Sequence, residues 1–277
     1  MDPASASMAT MSSGSSLKDE PPLEDISLST FTYPTIIDNR WFPLQPGKQL
    51  VFTGVTEEEG EAIPHRVKFT VTDLTKVIGG VRTLVIWELD YSSGELVEAE
   101  LVFFAQADDG TVWHLGQYPE SYVNGVLDEV PTWIHGLQSA RAGIIMQATP
   151  QLGTPSYSQG WGPWVDYKDR AQVTELGTRT CVPFRCYDDV LIIEEFSEPN
   201  AFQRKHYARG VGNVRVGWRG EDATRETLEL ISVIQLGRKG LDEVHEQVLA
   251  LEQHAYTISP GIYGHTAPME APATVTT

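Results

Sequence analysis

Residues 103–116 read FFAQADDGTVWHLG, two apolar runs either side of an Asp-Gly pair. Asp-Gly tolerates the positive φ of a tight hairpin turn, so this stretch predicts two antiparallel strands joined at Asp109-Gly110. Neighbouring strand residues point to opposite faces, so Trp113 and His114 cannot both enter the same side of the sheet. The same grammar recurs along the chain. Between residues 46 and 236, short runs rich in Val, Ile, Thr, Phe, Tyr and Trp alternate with turn clusters such as EEEGE, IGG, SSG, VNG and RGVG. That pattern predicts an all-β meander. No fixed repeat interrupts it, which argues against a propeller or solenoid.

One helix is predicted late, over about residues 240–256. There, Leu241, Val244, Val248, Leu251 and Ala255 form one stripe at helical spacing, with acids outside. Sequential strands with one closing helix favour an antiparallel β-barrel, lipocalin-like in broad architecture, because closure leaves no strand edge unpaired. The helix would pack on the wall or plug an end. The expected organisation is a leader or processed N-terminus over 1–32, rich in Ser, Ala, Pro and acids, then a single barrel domain over 33–258. Residues 259–277 are expected to form a flexible tail.

Composition bounds the partners. Of 277 residues, 41% are hydrophobic, enough for one large core. The 38 Asp and Glu outnumber the 20 Lys and Arg, a net charge of −18 that repels phosphate backbones and anionic lipid heads. Nucleic acid is therefore not an expected partner. No apolar run approaches the roughly 20 residues of a membrane span. The two cysteines, in TCVPFRCYDD, lack the paired clusters of a zinc site. Cys181 and Cys186 either close a small disulfide loop, which implies an oxidising compartment, or stand as two independent core thiols.

If Asp109-Gly110 is a two-residue turn, Ala105 faces His114 and Gln106 faces Trp113. His114 then shares the apolar face of Val97, Ala99, Leu101, Phe103, Ala105 and Val112. On that register His114 is the candidate general acid/base, with Glu100 as a lower-ranked carboxylate partner. The preceding hairpin refines this. With SSG as a three-residue loop, Trp87 and Leu89 join the apolar face, while Glu88, Asp90, Glu98 and Glu100 cluster on the other. A two-residue Ser-Gly turn instead sets Trp87 beside Glu100. Those four acids are either a solvated outer wall or the lining of a lumen that takes a cation, a sugar or acid/base chemistry.

Further candidates for a ligand pocket are Tyr157, Trp161 and Trp164 in the Gly/Pro-rich YSQGWGPWVDY, and Trp133 with His135 in PTWIHG. The basic stretch QRKHYARGVGNVRVGW reads as a hairpin with His206 and Tyr207 on opposite faces. Its glycines do not complete a dinucleotide fingerprint. His114, His135 and His206 have no metal-ligand spacing, and no nucleophile elbow or phosphate loop is present, so no metal or cofactor is expected.

The segments IDNRWFPLQPGKQLVFTG, FFAQADDGTVWHLG, ARAGIIMQATPQLGTPSYSQGW and HYARGVGNVRV together resemble a widespread family of uncharacterised, mostly secreted bacterial proteins. That family shares an N-x-(Y/W)-FPL-x-PG opening, an FAQD-x-DG-x-VW hairpin and a YYAPGVG turn. This chain departs from it where Ala208-Arg209 replaces Ala-Pro. The resemblance implies a secreted or cell-envelope protein whose leader is removed, which suits the disulfide reading, and it implies no particular reaction.

The expected function is a barrel pocket for a small, largely apolar or aromatic molecule. It would act catalytically as a cyclase or isomerase through shape and acid/base placement. The alternatives are a non-catalytic extracellular module binding carbohydrate or hydrophobic ligands at the Trp161/Trp164 loop, and an envelope interaction protein without a pocket.

Overall fold

The computed structural model describes residues 22–58 and 60–271. The strands are β1 (Lys48–Glu58), β2 (Glu61–Ile78), β3 (Val81–Ser92), β4 (Glu95–Gln106), β5 (Val112–Val123), β6 (Val126–Glu129), β7 (Trp133–Ile134) and β8 (Arg141–Met146). They continue as β9 (Tyr157–Ser158), β10 (Gly160–Trp161), β11 (Arg170–Cys181), β12 (Cys186–Phe196), β13 (Ala201–Ala208), β14 (Gly212–Gly220) and β15 (Thr227–Gln235). All pair antiparallel; thirteen follow the order β10-β8-β5-β4-β3-β2-β1-β15-β14-β13-β12-β11-β9, and β6 and β7 pair with β5 off that path. The architecture is the expected antiparallel barrel with one helix, α1 (Arg238–Ile258).

The two ends of that order meet in one short segment. Tyr157 and Ser158 pair with β11, and two residues later Gly160 and Trp161 pair with β8. The backbones come very close here: a Cβ on Gly143 would sit 2.1 Å from the Gly160 nitrogen. Only glycine at 143 lets the wall be stitched shut.

The hairpin at 103–116 forms, but its register differs from the expected one. Ala107 N–H donates to Thr111 O at 2.8 Å, so the loop has three residues, Asp108 to Gly110, with Gly110 at φ +92°. Asp109 Oδ1 accepts from Thr111 N–H at 2.8 Å, a local bond that favours this longer loop. His114 therefore pairs with Phe104 and Trp113 with Ala105, and a bulge follows at Leu115 before Gly116 meets Phe103. A one-residue shift exchanges the faces of a strand. His114 shares the face of Glu98, Glu100, Val102 and Phe104, while Trp113 joins Leu101, Phe103 and Ala105.

The neighbouring hairpin reaches the first of its two expected face assignments, Trp87 apolar and the four acids together, by another route. Its loop is the two-residue Ser93-Gly94, both at positive φ, with Ser92 opposite Glu95. A bulge between Asp90 and Tyr91 restores the register, so Glu88 faces Glu100 and Trp87 faces Leu101.

The apolar face of β3–β5 is the outer one. Trp87, Leu101, Phe103, Ala105, Trp113, Leu115 and Tyr118 form a core with Val244, Val248 and Ala255 of α1. The helix lies on the barrel wall. Residues 259–271, expected as tail, are packed: Tyr263 is fully buried, Met269 is buried, and Thr75 and Glu270 exchange backbone hydrogen bonds of 2.9 and 2.8 Å. Residues 22–32 are likewise held, with Glu24 accepting from Ser158 N–H at 2.7 Å and Phe31 against the outer core. The rest of the expected leader, 1–21, and the last six residues lie outside the described residues.

Segments distant in the chain converge around Asn39 and Arg40. The Asn39 side-chain amide donates to Gly110 O and Gln147 O, its backbone N–H donates to Gln106 Oε1, and Arg40 O accepts from Gly210 N–H at 2.8 Å. This pin seats Trp41, Phe42 and Leu44 as a plug in an apolar core with Phe104, Tyr157 and Tyr207. At the tip of β11–β12, Cys181 and Cys186 lie directly opposite each other and are joined in a disulfide.

Candidate functional site

The barrel encloses a cavity of about 340 Å³. Part of its lining is apolar, with Phe42, Phe52, Phe69, Val102, Phe104 and Tyr207, and part is charged, with seven carboxylates and two lysines. Of the two readings of the acids on β3 and β4, the lumen lining is the one found. Glu88, Asp90, Glu98 and Glu100 all face the cavity.

These carboxylates differ in what holds them. Lys205 Nζ sits 2.6 Å from Glu195 Oε2, and the two neutralise each other. His65 lies between Asp90, which touches its Nε2, and Glu226, 3.1 Å from its Nδ1. Burial alone would strip the His65 proton, but hydrogen bonds to both acids outweigh it and raise the pKa to about 10, so His65 is a fixed cation at neutral pH. Glu88 and Glu100 have no such partner among the described residues. Burial first, then repulsion from Glu98, pushes Glu88 up to about 8. Burial first, then Glu98 and Glu88, raises Glu100 well above the carboxylate range. Asp169, also at the cavity, rises to about 6, chiefly through burial.

His114 lines the same cavity at 3% exposure. It packs edge-on to Trp133 at 4.7 Å between ring centres, and Trp133 stacks on Tyr167 at 4.9 Å. His114 Nδ1 is 3.5 Å from the Tyr167 hydroxyl, and the backbone of Gln159 and Gly116 also lies beside the ring. Burial lowers its pKa to about 3, so the imidazole is neutral at pH 7.

The other sequence candidates scatter. Trp87 is in the outer core beneath α1, not in the cavity. Trp133 supports His114 and Tyr167 from behind. His135 is outside, its Nδ1 accepting from Ala142 N–H at 3.0 Å. His206 is also outside, 2.9 Å from Thr180 Oγ1, while its neighbours Lys205 and Tyr207 point in. Tyr157 is buried in the core that includes the plug, Trp161 belongs to the closing segment, and Trp164 is 74% exposed. The cavity thus gathers His114 and Glu100 from that set and leaves the others elsewhere. It adds Lys205, Glu195, Tyr167 and Asp169, which sequence reasoning did not select. A period-two signal for the first two existed in QRKHY and IIEEF, where Lys205 alternates with His206 and Glu195 with Glu194. Tyr167 and Asp169 lie in a loop without periodicity.

Among the described residues no group of three or more His, Cys, Asp or Glu could hold a metal ion. Nor is any helix long and apolar enough to cross a membrane.

Fold and site together define a β-barrel whose lumen is lined by both apolar side chains and carboxylates. No family model and no curated protein matches the chain. Two solved structures are similar in shape. One is a Bacteroides fragilis protein named for its inferred export and YmcC-like fold, 11% identical, with a TM-score of 0.40, covering 71% of this chain and 99% of its own. The other is an inferred lipoprotein of Parabacteroides distasonis, 10% identical, with a TM-score of 0.41 and the same coverages.

Proposed function

We propose that this chain is a small-molecule-binding barrel that works outside the cytosol and takes a compact ligand with an apolar or aromatic body into its lumen. The observation that carries the reading is the cavity of about 340 Å³, a size typical of small-molecule sites, with aromatic side chains facing a few polar groups. The Cys181–Cys186 disulfide supports an oxidising compartment.

Filling the lumen tests it. Val102→Trp on one wall and Val216→Phe on the opposite wall each project bulk into the cavity. Neutral naphthalene and indole derivatives, followed by ligand-observed NMR, are expected to bind the wild type and to lose binding in both variants while the far-ultraviolet spectrum is retained. Absence of binding to the wild type, or binding that survives both fillings, would refute the pocket.

A catalytic version of the same site, a cyclase or isomerase, draws support from Glu88, whose proton is held near neutral pH. His114 fits a positioning role better than proton transfer, because burial keeps it neutral. His114→Gln, which can still hydrogen-bond, is expected to keep ligand affinity within about threefold. His114→Leu is expected to lose about tenfold, the cost of one hydrogen bond. Equal loss in both variants, with a titration near pH 6.5, would restore His114 as an acid/base.

A further inference from the structure

Several polar groups of the lumen are answered from within it. Lys205 holds Glu195, His65 is held by Asp90 and Glu226, and Lys48 donates to Val211 O at 2.6 Å. Tyr207 has no such partner. It extends from β13 into the cavity wall at 2% exposure, and its hydroxyl makes no hydrogen bond among the described residues. Nor is that hydroxyl sealed in. The Tyr157 hydroxyl, in the same apolar core, is an orphan fully enclosed by protein, whereas that of Tyr207 keeps open surface. On a side chain so buried, lining the lumen, that surface is the cavity's. A buried hydroxyl without a partner weakens a fold, and phenylalanine would fill the same space without that cost.

Burial first, then the charge of Glu195, holds the Tyr207 pKa well above the ordinary 10, so the phenol stays protonated and offers an O–H donor. Its missing partner is therefore an acceptor. An anionic acceptor would have to leave water and approach Glu195, so a neutral oxygen fits better. Apolar surface stands beside the phenol. The Phe42 ring lies edge-on to Tyr207 at 6.3 Å and to Phe104 at 5.4 Å, and all three line the cavity. Resting on the pocket reading above, we propose that the ligand carries a neutral carbonyl oxygen that accepts the hydrogen bond of the Tyr207 hydroxyl, its apolar or aromatic body lying against Phe42 and Phe104. Tyr207 is then the residue that selects a carbonyl compound over a hydrocarbon of the same shape.

Two probes of one shape decide the matter: 2-acetylnaphthalene and 2-isopropenylnaphthalene, in which a methylene replaces the carbonyl oxygen. Both are titrated into the full chain at neutral pH and followed by ligand-observed NMR, with 2-naphthoate and 2-naphthylmethylamine as charged counterparts. The ketone is expected to bind at least about tenfold tighter than the alkene and tighter than either charged probe. In Tyr207→Phe, which keeps the ring, that advantage is expected to fall below about threefold, with alkene affinity unchanged. The infrared carbonyl stretch of the bound ketone is expected to lie lower in the wild type than in Tyr207→Phe. Equal binding of ketone and alkene, an advantage or a lowered stretch that survives Tyr207→Phe, or tighter binding of a charged probe would overturn the carbonyl assignment and leave the pocket standing. Binding of none of the four to the wild type would overturn both.

Discussion

Glu252→Ala is expected to lower the unfolding free energy by about 3–5 kcal/mol, the cost of stranding one member of a buried ion pair. Lys76 on β2 is fully buried and Glu252 on α1 is 1% exposed, with Lys76 Nζ 2.7 Å from Glu252 Oε1. The pair is the centre of a knot. Glu252 also accepts from Met269 N–H at 3.0 Å and from the Tyr263 hydroxyl at 3.4 Å, while Lys76 donates to Ala267 O at 2.6 Å and lies over the Tyr263 ring. These bonds tie the helix and the segment after it to the wall. Removing the carboxylate leaves a buried ammonium facing tyrosine rings and frees the Met269 amide. The double replacement Lys76→Met/Glu252→Leu removes both charges and is expected to recover part of the loss, short of full recovery because Met269 N–H and Ala267 O stay unpaired. Guanidinium unfolding checks both. A loss under about 1 kcal/mol for Glu252→Ala would mean that the outer core alone docks the helix.

The second large effect is a stability maximum on the acid side of neutrality, between about pH 4.5 and 6.5. Glu88 and Glu100 bind their protons more tightly folded than unfolded, through burial and mutual repulsion. Their stabilisation is complete below the ordinary value of 4.5 and is lost as pH rises through about 8 for Glu88. His65, raised to about 10, contributes in the same sense, fully below 6.5 and decreasingly up to about 10. The acid limb comes from His114, lowered to about 3, and His206, lowered to about 4, both chiefly by burial. Their contribution is present above 6.5 and is lost as pH falls through those values. At about 1.4 kcal/mol per pKa unit, Glu88 alone should cost the wild type up to about 4 kcal/mol between pH 5 and 8, with Glu100 adding in the same direction. Denaturant titrations across that range should show the decline, and Glu88→Gln/Glu100→Gln should flatten it. A wild type more stable at pH 8 than at pH 5, or an unchanged slope in the double variant, would show that the carboxylates ionise freely in the lumen.

Much of the strand plan was legible because it rests on local chemistry. Turn residues mark the hairpins, period-two alternation marks the strands, and Val244, Val248 and Ala255 lie on one helical stripe because 3.6 residues make a turn. That glutamates 88, 98 and 100 share a face with Asp90 was also readable, although the turn and bulge that produce the pairing were not. His114 was misassigned because the register turned on a single residue. Asp109 caps Thr111 and lengthens the loop, and the bulge at Leu115 then carries the shift along β5. A bulge has no dependable mark in composition, since it answers to the twist and closure of the whole sheet.

By itself, then, the sequence determined the elements, the antiparallel hairpins, the two faces of each strand and the single helix, since each follows from neighbours a few residues apart. Only the tertiary structure decided which face is the lumen. Ordinarily the apolar side of a strand points inward and the acidic side to water. Here α1 and residues 259–270 cover the apolar side from outside, held by Lys76 and Glu252, which are 176 residues apart in the chain. With its oily face sealed under a helix, the wall could turn its carboxylates inward. That inversion depends on which distant segment docks where, and neither periodicity nor propensity encodes such a choice.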